Sequence, residues 1–235
     1  MAPDRTSLRR SRLVPIVAVL AGIAAIAFVV IRSSHGVDGS ADRAGSAAST
    51  PVRSEWEDRD PTDPMTFGPV DAPVGLVVFT DYQCPYCAKW SHDTLPALLP
   101  YADAGDLRIE LRDMNIFGDG SERAARAAYS AALQGHLREF HAALFADGRP
   151  RPKSALSDDA LLALAGELRL DTGRFRTDYE SRTVLSAVRN KASDGFTAGT
   201  YSTPAFILGG QPILGAQPTK VFTDKLRSEL DAAGR

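Results

Sequence analysis

The 235-residue chain holds two cysteines, both in Cys84-Pro85-Tyr86-Cys87. The reacting form of cysteine is the thiolate, and a Cys-x-x-Cys at the first turn of a helix favours it. The first sulfur can lie over unpaired backbone amides and the positive end of the helix dipole, which lower its pKa. Cys84 is therefore the candidate nucleophile. Cys87, one turn later on the same side, is the candidate resolving thiol, able to attack a mixed disulfide on Cys84 and release the partner. Pro85 suits the first helical turn, where its missing N–H would have no helical acceptor. Two other readings begin from the same pair. A static disulfide closing so small a loop removes little unfolded-state entropy, so stabilisation explains it poorly. Metal binding by the two thiolates, joined by His92, is the other; it is disfavoured because no second Cys pair exists and the other histidines are distant in sequence.

The elements that would position the sulfurs are legible around them. Gly75 to Thr80 is a nearly continuous apolar run with β-branched enrichment, the pattern of a buried central strand, and it leads directly to Cys84. The following helix would carry Cys87, Trp90 and Leu95 inward, with Pro96 imposing a kink. Leu107 to Arg112 alternates Leu, Ile and Leu with charges and predicts a second strand. From Ser121 to about Gly199 the pattern is helical: an Ala-rich segment to Gln134, Leu137 to Phe145, Leu161 to Leu170 behind Ser157 or Asp158 as N-cap, and two amphipathic stretches after Asp171. Strands return at Pro204 to Leu208 and Gln211 to Leu214 around Gly209-Gly210, a two-residue hairpin signal, before a last helix from Pro218. The order predicts an α/β domain with a helical insertion at about 121–199, spanning 65–235.

Composition sets the surroundings. With 44% apolar and 24% charged residues the chain is neither disordered nor a multi-span membrane protein, and a net charge of -2 offers no footprint for nucleic acid. Leu13 to Ile31 is uncharged and, as a helix, roughly 28 Å long, close to the thickness of a bilayer core. Arg5, Arg9, Arg10 and Arg12 against Asp4 give the segment before it a charge of +3, which keeps 1–12 cytoplasmic and the body outside. A cleaved signal peptide is the competing reading, but Ala25-Ile26-Ala27 is followed by Phe28, Val29, Val30 and Ile31 where a polar cleavage region is expected. The 13–31 segment therefore reads as a transmembrane anchor and 32–64, rich in Ser, Ala, Gly, Asp and Arg, as a flexible linker. Export places both thiols where disulfide chemistry is possible.

Phe79-Thr80-Asp81-Tyr82-Gln83-Cys84-Pro85-Tyr86-Cys87, taken with Thr203-Pro204-Ala205-Phe206-Ile207-Leu208-Gly209-Gly210 and Gly215-Ala216-Gln217-Pro218, resembles the DsbA-like thiol-disulfide oxidoreductases of the thioredoxin superfamily. The resemblance covers roughly Asp63 to Arg235 and includes the helical insertion. It implies a thioredoxin fold, Thr203-Pro204 as a cis-proline loop against the sulfurs, and Pro85, Tyr86, Thr203 and Pro204 as substrate-binding residues. The backbone of Thr203 would pair with an extended substrate strand. One position departs from the pattern: many members carry a buried carboxylate six residues before the first cysteine, where this chain has Val78. Val78, Cys-Pro-Tyr-Cys and the threonine before the proline are similar to the DsbG and DsbC branch. The helical insertion, and a tether too polar to build a dimerisation domain, match the monomeric oxidases.

The expectation is thus a membrane-anchored, single-pass, extracytoplasmic protein thiol-disulfide oxidoreductase. It would form, reduce or isomerise disulfides of cysteine-containing exported proteins, with a membrane redox partner that recycles Cys84 and Cys87. It would act as a monomer, with no cofactor or metal beyond the redox-active pair. The alternative is a membrane-tethered carrier of a soft metal such as copper on the two thiolates. Lys89, His92 and Asp93 would tune the thiolate or simply be solvated. His136 and His141 read as packing or surface residues, Trp90, Phe79 and Phe206 as core, and Arg149, Arg151 and Lys153 as a solvated basic loop.

Overall fold

Strand β2 (Val74–Thr80) is buried at every residue, as its unbroken apolar run requires. In the computed structural model, which describes residues 54–235, it is the centre of a five-stranded sheet ordered β1-β3-β2-β4-β5. Strand β3 (Leu107–Asp113) runs parallel to β2, so the chain must cross over between them. It does so through α1 (Pro85–Asp93) and α2 (Leu95–Asp103). Pro96 lies in the first turn of α2, where it needs no helical acceptor, so the expected kink is a complete break at Thr94. Strand β4 (Ala205–Leu208) flanks β2 antiparallel on the other side and folds back into edge strand β5 (Gln211–Leu214). Gly209 and Gly210 between them have φ of +56° and +75°, the pair of positive values that a tight hairpin requires. A two-residue strand, β1 (Thr66–Phe67), closes the far edge against β3; it is too short to leave a periodic signal in the sequence.

Residues alternate across the central strand. Leu76 and Val78 join Cys87, Trp90, Leu98, Phe206 and Phe222 in the main core, the last of these from α8 (Thr219–Ala232). Val77 and Phe79 join Met114, Ala205 and Ile207 in a smaller cluster on the opposite face, partly covered by Trp56 and Ala198. Between β3 and β4 stand α3 (Asp119–Ala132), α4 (Leu137–Leu144), α5 (Asp158–Glu167), α6 (Thr172–Glu180) and α7 (Arg182–Thr197). The alanines of α3 let its neighbours approach closely; Ala124, Ala125, Ala127, Ala128 and Ala131 are wholly buried. Ser157 caps α5, Asp171 caps α6 and Ser181 caps α7, each accepting a hydrogen bond from a backbone N–H in the first turn.

The expected linker 32–64 is too long at its C-terminal end. Glu57 and Arg59 have side chains only 2% and 9% exposed and pair at 2.5 Å, and Arg59 also donates to the carbonyls of Val70 and Ala72 at 2.9 and 2.6 Å. The backbone N–H groups of Asp58 and Arg59 donate to the Glu110 carboxylate at 2.9 and 3.0 Å, and Arg108 and Arg112 flank the same carboxylate. Burial alone would raise the pKa of Glu110, but these donors outweigh it and hold it below the ordinary value. Residues 54–64 are therefore a strap across the charged face of β3, where Arg108, Glu110 and Arg112 lie. Its polar composition suits a buried ion-pair network as well as a tether. The expected anchor, 13–31, and the linker up to residue 53 lie outside the described residues. Among the described residues no helix is long and apolar enough to cross a membrane.

Candidate active site

Strand β2 ends at Thr80, and the loop Asp81–Gln83 turns the chain into α1 with Cys84 as its N-cap in an extended conformation, φ -83° and ψ 119°. The backbone supports that turn: the Cys84 N–H donates to the Asp81 carbonyl at 3.0 Å, and the Gln83 N–H to the Asp81 carboxylate at 2.8 Å. Pro85 opens the helix, and Cys87 follows in its first turn. Both cysteines are free thiols, 2% and 1% exposed, while Tyr86 between them is 66% exposed.

The two sulfurs are electrostatically unequal. The neighbouring Cys87 thiol does most to lower the Cys84 pKa, to about 6. Burial opposes the shift; Thr203 and the backbone N–H groups of Tyr86 and Cys87 assist it. Burial is also the main cause that pushes the Cys87 thiol strongly upward, with the adjacent Cys84 sulfur adding to it. At neutral pH the arrangement is a thiolate on Cys84 beside a protonated Cys87, the polarity required for attack at one sulfur and resolution by the other.

Thr203-Pro204 comes to the same place from 119 residues away. The peptide bond is cis, and the Cys84 thiol lies 3.3 Å from the Thr203 carbonyl. The Thr203 N–H makes no hydrogen bond among the described residues, whereas the Pro204 carbonyl receives the Gly215 N–H at 3.0 Å. The Thr203 hydroxyl is buried near both sulfurs and favours negative charge there, although its oxygen has no partner of proper hydrogen-bond geometry. Two concavities open nearby, the first beside this loop at Ser202 and Ala205. One, about 530 Å³, has Trp56, Phe79, Tyr201, Phe206 and Leu214 among its walls; the other, about 360 Å³, lies between Trp90 on α1 and Pro218 at the start of α8.

Residue types alone do not reveal the grip of the insertion on the pre-cysteine loop. Ser121 donates to the Asp81 carboxylate at 2.6 Å, and the Gln83 side chain donates to the Arg151 carbonyl at 3.1 Å. Arg151 also bonds the Ala143 carbonyl at 2.9 Å, so the expected solvated loop is docked against the site. Asp113 at the end of β3 lies beside Thr80 in register and is raised to about 8 by burial first and the charge of Asp81 second. Two buried carboxyl groups therefore lie in this region although position 78 is Val. Lys89 and His92 both turn to Asp93 on an exposed stretch of α1. Among the described residues no group of three or more His, Cys, Asp or Glu side chains is disposed to hold a metal ion. The copper alternative thus rests on the two thiolates alone.

A central β2 feeding a helix capped by Cys84, opposed by a cis-proline loop, is the arrangement the sequence resemblance implies. Residues 60–227 match the family model described as thioredoxin. The chain belongs to the thioredoxin family. A thioredoxin-like oxidoreductase from Silicibacter pomeroyi DSS-3 is 26% identical, with a TM-score of 0.59 over 71% of this chain and 96% of that one. A probable disulfide bond formation protein D from Bacillus cereus is 27% identical over 151 residues, 62% of this chain and 70% of that protein. A Na(+)/H(+) antiporter NhaA from Herminiimonas arsenicoxydans is 32% identical over 171 residues, 72% of this chain. This thioredoxin-family chain spans about a quarter of the length of that relative, 26%.

Proposed function

We propose that this chain is a protein thiol-disulfide oxidoreductase whose substrates are cysteine-containing exported proteins. The observation that carries the reading is the placement of the pair: Cys84 caps α1 with its sulfur 3.3 Å from the Thr203 carbonyl, and Cys87 is buried one turn away. In the oxidising direction a substrate thiolate attacks Cys84 Sγ of the disulfide form and expels the Cys87 thiolate. The substrate's second thiolate then attacks its own sulfur in the mixed disulfide and expels Cys84. The substrate loses two electrons and the pair gains them. Reduction is the reverse, with Cys84 as nucleophile and Cys87 as resolving thiol.

Thr203 supports substrate binding through its N–H, unengaged among the described residues, and its carbonyl, which together suit an extended backbone lying beside Cys84. Pro85, Pro204 and the exposed Tyr86 would border that backbone. Segment 13–31 would anchor the domain outside the cytoplasm, where a membrane redox partner would recycle the pair. Cys84→Ser should abolish both dithiol oxidation and disulfide reduction by the purified chain, and undiminished turnover would refute the assignment. Direction follows from the Cys84/Cys87 potential: a value near -120 mV marks an oxidase and one near -270 mV a reductant.

A further inference from the structure

Below the pre-cysteine loop lies a buried imidazole for which disulfide exchange has no direct use. His141 on α4 is 2% exposed. Its Nδ1 is 3.0 Å from the Tyr82 hydroxyl and its Nε2 3.0 Å from the Ser91 hydroxyl. The ring meets Tyr82 and Phe145 edge-on, with centroids 5.5 and 5.2 Å apart. Burial pushes its pKa down to about 4, so at neutral pH it is an uncharged ring with one donating and one accepting nitrogen. Each hydroxyl can take the complementary role, and the three groups satisfy one another inside the core.

The placement of the two partners gives the contact its meaning. Tyr82 lies two residues before Cys84, in the loop leaving β2. Ser91 lies four residues after Cys87, on the same face of α1. A single side chain of the insertion therefore ties the loop to the helix across the cysteine that joins them. From that joint Cys84 meets the first turn of α1 as an extended N-cap, beside the Cys87 thiol and the N–H groups of Tyr86 and Cys87 that favour its thiolate.

We propose that His141 is a positioning residue: by bonding Tyr82 and Ser91 it holds Cys84 over the first turn of α1 and so sets how readily the thiolate forms. The proposal rests on the reading of Cys84 and Cys87 as the redox pair.

The test uses the full chain and two variants. His141→Phe keeps a ring against Tyr82 and Phe145 but leaves two buried hydroxyls unpaired. The triple variant His141→Phe, Tyr82→Phe, Ser91→Ala removes those hydroxyls as well, which relieves the cost of burying them unpaired. The readouts are the ultraviolet titration of the Cys84 thiolate, the equilibrium constant with glutathione, and the melting temperature. Both variants should raise the Cys84 midpoint by about half a pH unit or more and move the glutathione equilibrium several-fold toward the protein disulfide. The triple variant should regain most of the lost melting temperature without regaining the midpoint. A wild-type midpoint in either variant, or recovery of midpoint and melting temperature together, would overturn the proposal. If His141→Phe does not fold, the triple variant and Ser91→Ala alone carry the same expectation. Failure of the wild-type chain to exchange disulfides would overturn the functional reading instead, leaving the Cys84 titration to judge His141.

Discussion

The thiol of Cys84 lies 3.3 Å from the main-chain carbonyl of Thr203, so the nucleophile candidate and the substrate-binding loop candidate are in direct contact. A substrate backbone pairing with Thr203 would therefore be placed beside the reacting sulfur, with no further movement of the loop needed to bring the two together.

The Cys84 thiolate should titrate near pH 6, and Cys87→Ala should raise that midpoint, because the Cys87 thiol is the main group lowering it. Cys84 is depressed in the fold and ordinary, about 8.5, in the unfolded chain, so between pH 6 and 8.5 the unfolded state binds the extra proton. The reduced domain should gain stability as pH rises through that window and lose it as pH falls through 6. Thermal melts of the reduced domain against Cys84→Ser would show the difference, and parallel pH profiles would refute it.

Asp113→Asn should stabilise the domain at alkaline pH, because the amide does not carry the buried, unpaired charge that Asp113 acquires there. Asp113 is raised to about 8 and one of its carboxylate oxygens is buried without a partner. Its proton is bound in the fold but lost from the unfolded chain above about pH 4, so its contribution declines as pH rises toward 8. Urea denaturation of both proteins at pH 6 and pH 9 checks this: the gain should be larger at pH 9.

Arg59→Ala should destabilise the domain by about 3–5 kcal/mol, because it leaves Glu57 as an uncompensated buried charge and strips the Val70 and Ala72 carbonyls of their donor. A chain beginning at residue 65 should lose stability relative to one beginning at 54 for the same reason. Equal denaturation midpoints for the two chains would show that the strap contributes nothing.

Much of the architecture is legible in the order of residues because it is governed by neighbours. The apolar run of β2, the caps Ser157 and Asp171, Gly209-Gly210 and the prolines at helix starts each act within a few positions, and each marks its element. The spacing of Cys84 and Cys87 likewise determines their chemistry locally, since one helical turn places both sulfurs on one side. Pairings between distant segments have no such local mark. The alternating charges of β3 carry no mark of the backbone groups of 54–64 that hydrogen-bond Glu110, Arg108 and Arg112. His141 looks like an ordinary helix residue until the packing of α4 brings it between Tyr82 and Ser91. Whether a charge or an imidazole in this chain is hydrated or buried depends on which remote group arrives opposite it. The spacing of the two cysteines determined that a reactive pair exists and that Cys84 is its nucleophile; tertiary packing decided how deeply Cys87 is buried and what holds Cys84 in place.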